Sequence, residues 1–151
     1  MDSASDPSWV LAIGSPRARW AAGEAISIRT VLTYVGSGEG TEYFGSSSGP
    51  IAFDLKEIDG PRHIEGGVLS DCATHEMRSD EPLVLERFKA GGYSADDPHA
   101  AFYEALQDDP LLRLPSGRWE LTARAVFSMP PPAGCSGRTV SLMASIVLTI
   151  E

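Results

Sequence analysis

Three groups of side chains in this sequence have the types that chemistry needs. Gly45-Ser46-Ser47-Ser48-Gly49 matches G-x-S-x-G, the pattern that presents a nucleophilic serine on a strand-to-helix elbow. Pro50 and a strand-like run follow it, so it reads as a Gly/Ser loop and not as a hydrolase elbow. His63, His75 and His99 are the only histidines, and with Met77 and Met129 they offer the imidazole and thioether ligands that copper takes. No two of them stand at ligand spacing on one element, so they read as ordinary strand and surface residues. Asp96, Asp97, Asp108 and Asp109 carry hard oxygens of the kind calcium takes. Their spacing is not that of an EF-hand. Asp97 reads as a helix cap and Asp108-Asp109-Pro110 as a turn. We therefore assign no catalytic residue, no cofactor and no metal, and expect a protein that is not an enzyme.

Cys72 and Cys135 are the only cysteines. Both lie among small and polar residues, whereas unpaired structural cysteines are usually buried in apolar surroundings. A disulfide between them is expected, the alternative being two inert thiols.

Aromatic residues outside the regular strands are the candidates for recognition. Tyr43 and Phe44 lie in the Gly/Ser-rich segment 36–49, Tyr93 and Tyr103 in the segment 91–112, and Trp20 in a turn. These five define the expected interaction surface. Trp9 and Trp119 have core parity. Phe102, four residues before Leu106, is placed to pin a helix onto the core.

The elements that must hold these residues are mostly strands. Trp119, Leu121, Ala123, Ala125 and Phe127 alternate with Glu120, Thr122 and Arg124, the period of a half-buried antiparallel strand. The same period places Trp9, Leu11 and Ile13 together, then Ile26, Ile28, Thr30, Leu32 and Tyr34, then Ile51, Phe53 and Leu55. The run Val140 to Ile150 is the last, joined to the Trp119 strand through Pro130-Pro131-Pro132. Asp59-Gly60 signals a hairpin. Pro98 to Gln107 breaks the rhythm with helix formers behind Asp97 and Pro98. The expected fold is all-β: an immunoglobulin-like antiparallel sandwich of seven to nine strands with one short helix inserted at about 98–107. Residues 1–8 read as a flexible tail and 9–151 as a single domain.

Charge and composition exclude some partners. The net charge of −9 argues against nucleic acid and against an anionic membrane surface. No apolar run is long enough to span a bilayer. A membrane link is expected only through an N-terminal anchor already removed, since Met1 to Ser8 resembles the tether such an anchor leaves. Ten arginines against two lysines suggest GC-rich coding, and the chain has no asparagine to glycosylate.

Gly49-Pro50-Ile51-Ala52-Phe53-Asp54-Leu55-Lys56-Glu57-Ile58-Asp59-Gly60 after Tyr34-Val35-Gly36, and the closing run from Leu114 to Ala123, resemble bacterial immunoglobulin-like domains. They look like the secreted or lipid-tethered envelope proteins of GC-rich Gram-positive bacteria. They are also similar to the intracellular proteinase inhibitor family of Bacillus. The resemblance covers about Ala25 to Phe127, and the two cysteines and the inserted helix depart from it. It implies an extracellular or envelope location, with the cytoplasm as the alternative. It also implies a module that binds a protein partner, with proteinase inhibition as the alternative role.

Overall fold

Alternating apolar residues build two sheets that share one core. In the computed structural model, which describes residues 1–151, the strands are β1 (Asp2–Ser5), β2 (Trp9–Gly14), β3 (Arg19–Trp20), β4 (Arg29–Tyr34), β5 (Gly40–Gly45), β6 (Ile51–Glu57), β7 (His63–Glu65), β8 (Ala73–Arg78), β9 (Leu83–Leu85), β10 (Gly117–Met129) and β11 (Arg138–Ile150). One helix, α1 (Ala100–Asp108), lies between β9 and β10. The first sheet has the order β1-β2-β4-β9. The second runs β3-β11-β10-β5-β8, with β6 also on β10 and β7 beyond it. The chain is an all-β sandwich of eleven strands, more than the seven to nine expected. The additions include β1, a polar stretch, and β3, a pair of residues, both without a readable period.

β10 is the spine of the second sheet. It pairs with β11 over thirteen residues, through the Pro-rich hairpin. On its other side it holds β6 from Trp119 to Ala125, and then β5 at Ser128. The sheet is mixed, because β3 lies parallel to β11. Thirty buried residues from both sheets form a continuous core. Trp9 lies at its centre, with Tyr34, Tyr43 and Phe127 around its ring at centroid distances of 5.2, 5.6 and 4.7 Å.

The inserted helix covers a sheet edge. Phe102 stacks on Trp119 and the Arg62 guanidinium lies over both rings. Tyr103 Oη donates to the carbonyl of His63 and accepts from its amide, both at 3.0 Å. It thereby caps β7, an otherwise open edge. The helix begins at Ala100 with His99 at its N-cap, two residues later than the start at Pro98. Asp97 does not cap it; Asp97 Oδ1 accepts the His99 amide in a turn just before the first helical residue.

The flexible tail at 1–8 is also corrected. Asp2–Ser5 pair with β2, the carboxylate of Asp6 accepts the amides of Ser8 and Trp9 to form the connecting turn, and Asp2 accepts the Ser145 amide of β11. The polarity that suggested a tether belongs to an edge strand whose backbone, not its side chains, does the pairing.

Candidate functional site

Three loops meet where β10 turns into β11. β5 and β6 lie end to end along β10, and the break between them is the turn Ser46 to Pro50. Gly49 makes that turn with φ +106°, a conformation other residues rarely adopt. The loop 66–72 leads from β7 into β8, and the loop 130–137 closes the β10–β11 hairpin. Cys72 and Cys135 form a disulfide between the last two, joining positions 63 residues apart. Both cysteines are exposed.

The serine turn holds the loop 66–72 from inside. Ser48 Oγ accepts the amide of Leu69 at 3.1 Å, and the Asp71 carboxylate accepts the amide of Ser47 at 2.9 Å. The Ser47 hydroxyl and amide hold the Asp71 carboxyl below its ordinary range. The near end of the loop is fixed as firmly. Gly66 donates to Asp54 at 2.9 Å and accepts from Arg124 at 2.7 Å, while Arg124 also grips Asp54 through two nitrogens. Gly66 lies so close to the Phe53 backbone that a Cβ there would meet the Phe53 carbonyl oxygen at 2.2 Å.

Between these anchors the chain is open to solvent. Val68 is 44% exposed and Leu69 60% exposed, although both are apolar. The backbone is pinned at Gly66, Leu69, Asp71 and Cys72, and two aliphatic side chains are turned outward between those points. The ordering entropy that binding would otherwise cost is already met within the fold. Sequence reasoning missed it, because Gly66-Gly67-Val68-Leu69-Ser70 carries no period and no aromatic residue.

The five aromatics expected on the surface are placed otherwise. Tyr43, Phe44 and Tyr103 are buried core residues, and so is Trp20. Trp20 lies under the Arg17 guanidinium and donates its indole N–H to the Arg17 carbonyl. Tyr93 is half-buried beside Tyr103. The expected interaction surface is therefore not assembled. Six residues of the segment 36–49 are β5, whose Tyr43 faces inward against Trp9 and Phe127, while the adjacent Phe44 is buried on the opposite side of the strand. Trp9 and Trp119 are fully buried.

The serine, histidine and aspartate of this end come together without forming a relay. His75 stacks on Tyr43, and its Nε2 meets the carbonyl oxygen of Ser46 at 2.9 Å, not a hydroxyl. Ser46 Oγ is paired with Ser48 Oγ at 2.7 Å and no helix follows the turn. Gly45 to Gly49 is a structural turn. The histidines are dispersed over β7, β8 and the helix start, while Met77 and Met129 are buried in the core. Of the four aspartates, Asp97 and Asp109 accept amides in turns, and Asp109 also pairs with Arg113. No three histidine, cysteine or acidic side chains converge in a set that could hold a metal ion.

No helix is long and apolar enough to cross a membrane. No protein-family model and no curated protein matches the chain.

Proposed function

We propose that this chain is a non-enzymatic, immunoglobulin-like recognition module of the cell envelope or extracellular space, which binds a protein partner through the loop 66–72. One observation carries the reading: an exposed Val68-Leu69 pair on a backbone fixed from both sides. Partner surfaces reward such a rigid apolar tip, because it fills a pocket without first being ordered. The exposed disulfide supports the compartment, since such bonds persist where the surroundings are oxidising.

The test is a titration against a captured and then purified envelope partner. Leu69→Asp is expected to weaken binding at least about tenfold, or roughly 1.4 kcal/mol, with the melting temperature unchanged. Equal affinity of the two proteins would refute the assignment of the loop.

A second reading, proteinase inhibition, is supported by the same loop. A serine endopeptidase receives an extended segment with one side chain in its primary pocket, and Leu69 offers an exposed aliphatic side chain on a backbone held by Ser48. Chymotrypsin-like and subtilisin-like enzymes are then expected to be inhibited stoichiometrically, and Leu69→Gly to abolish the effect. Rapid cleavage after Leu69, or full protease activity at micromolar protein, would sink this reading.

A further inference from the structure

A sandwich can take up another chain at a sheet edge, because an edge strand leaves every second amide and carbonyl without a partner. Most edges of this one are closed. Tyr103 seals β7, Asp2 ties β1 to the Ser145 amide of β11, and β9 has only three residues. β8 is different. It has six residues, Ala73–Arg78, and ends the second sheet with β5 on one side alone. Ser79 donates to the Glu39 carbonyl, so the residues in step with it, Met77, His75 and Ala73, turn their backbone toward β5. Thr74, Glu76 and Arg78 turn theirs away. Of those groups only the Arg78 carbonyl is used, by the Glu81 amide in the turn that follows. The amides of Thr74, Glu76 and Arg78 and the carbonyls of Thr74 and Glu76 have no partner in the fold. This edge is also held at both ends. Cys72, just before β8, is bonded to Cys135, and Ser79 binds the Glu39 carbonyl through its amide and its hydroxyl. An added strand therefore meets a fixed template, and its main chain supplies the affinity.

Charge says what the added strand carries. Glu42 of β5 and Glu76 of β8 stand directly opposite each other on the outer face, and both are exposed. Like charges so placed are destabilising. Neither forms an ion pair, and Arg78, the cation on the same strand, is taken by Asp80. A strand laid beside β8 puts one residue opposite Glu76 in the same row. A lysine or arginine there relieves the repulsion that Glu42 and Glu76 set up. A second copy of β8 does the reverse. The register that matches all three outward residues sets Glu76 against Glu76, between chains of charge −9. The residues on either side of the cation point the other way, beside the half-buried His75 and the buried Met77, where apolar side chains fit.

We infer that the free edge of β8 takes up an extended segment of a partner protein as an added antiparallel strand, with a lysine or arginine of that segment opposite Glu76. The central residue of the segment then exchanges both backbone hydrogen bonds with Glu76. This surface uses neither Val68 nor Leu69. It goes beyond the loop 66–72, and its failure would leave the assignment of that loop standing.

The test is an NMR titration of the whole chain with a blocked heptapeptide that has lysine at its centre, valine on either side and two threonines beyond each valine. Amide shifts and slowed hydrogen exchange are expected at Thr74, Glu76 and Arg78. Exchanging the peptide's lysine for glutamate is expected to weaken binding at least about threefold. N-methylating the lysine amide removes its bond to the Glu76 carbonyl and is expected to weaken binding at least about tenfold. Glu76→Lys is expected to reverse the preference between the lysine and glutamate peptides. Should that variant fail to fold, Glu76→Gln takes its place and is expected to erase the preference. No binding at millimolar peptide, shifts confined to other elements, indifference to N-methylation, or an unchanged preference in a folded Glu76 variant would each overturn the proposal. Concentration-dependent shifts at the same three amides in the protein alone would overturn the choice of occupant, since they would mean that β8 pairs with itself.

Discussion

Single side chains in the core carry costs that the sequence pattern does not reveal. Thr30 has inward parity and is fully buried, yet its hydroxyl finds no partner. The β-branched shape suits β4, but an unsatisfied buried hydroxyl costs about 1–3 kcal/mol. Thr30→Val keeps the shape and removes the orphan, so it should raise stability by about 1 kcal/mol, read from the urea midpoint at constant slope. At this scale the sequence was legible where types were unambiguous. The cysteines among small polar residues were read as a disulfide, and they form one. Aromatics near glycines were misread. Tyr43 and Phe44 are adjacent and both buried, so no alternation marked their strand. Leu69 was missed for the opposite reason, since its exposure is decided by Ser48, twenty-one residues earlier in the chain.

Elements were legible in proportion to their length. β10 and β11 follow from period two, although Val126, Met143 and Val147 stand among their outward alternates, and both exceed their expected bounds by only a few residues. β7 and β9 have three residues each, too few for a period to register. Their stability comes from what covers them. Tyr103→Phe should free the His63 amide and carbonyl, cost about 1–2 kcal/mol, and speed hydrogen exchange at His63. Unchanged exchange there would show that α1 does not seal that edge. Reduction of the disulfide should act more broadly. It removes a cross-link between positions 63 residues apart, worth about 4 kcal/mol in the chain-entropy model. A fall in melting temperature on reduction, matched by the Cys72→Ser/Cys135→Ser double variant, is the expected result. Asp54→Ala should release Gly66 and leave Arg124 short of a partner, lowering stability by about 2 kcal/mol. The affinity of the loop 66–72 for its partner should fall with it.

For the molecule as a whole, pH response follows from where the carboxylates sit. Arg62 holds Glu57 below its ordinary value, Arg118 does the same for Asp59, and the Ser47 donors do so for Asp71. Burial alone would raise Asp6, but Arg138 and the amides of Ser8 and Trp9 together bring it down. Each group prefers its ionised form in the fold more than in the unfolded chain. Their contribution is therefore complete above the unfolded values and lost as pH falls through the folded ones. Stability should be flat from about pH 5 to 8 and decline below about pH 4. Denaturation midpoints across that range check it. A gain on acidification would mean that relief of the −9 self-repulsion outweighs these pairs.

The position of β10 in the chain has a consequence for biosynthesis. β5, β6 and β11 all attach to it, yet it spans Gly117–Met129 and is made after nine of its ten companion strands. A nascent chain emerging N-terminus first therefore has no axle for its larger sheet until four-fifths of it exists. The larger sheet is therefore expected to assemble only late in synthesis. Ribosome-stalled chains ending before Gly117 should show no protection from protease, and those including Ile150 with an exit-tunnel spacer should show full protection.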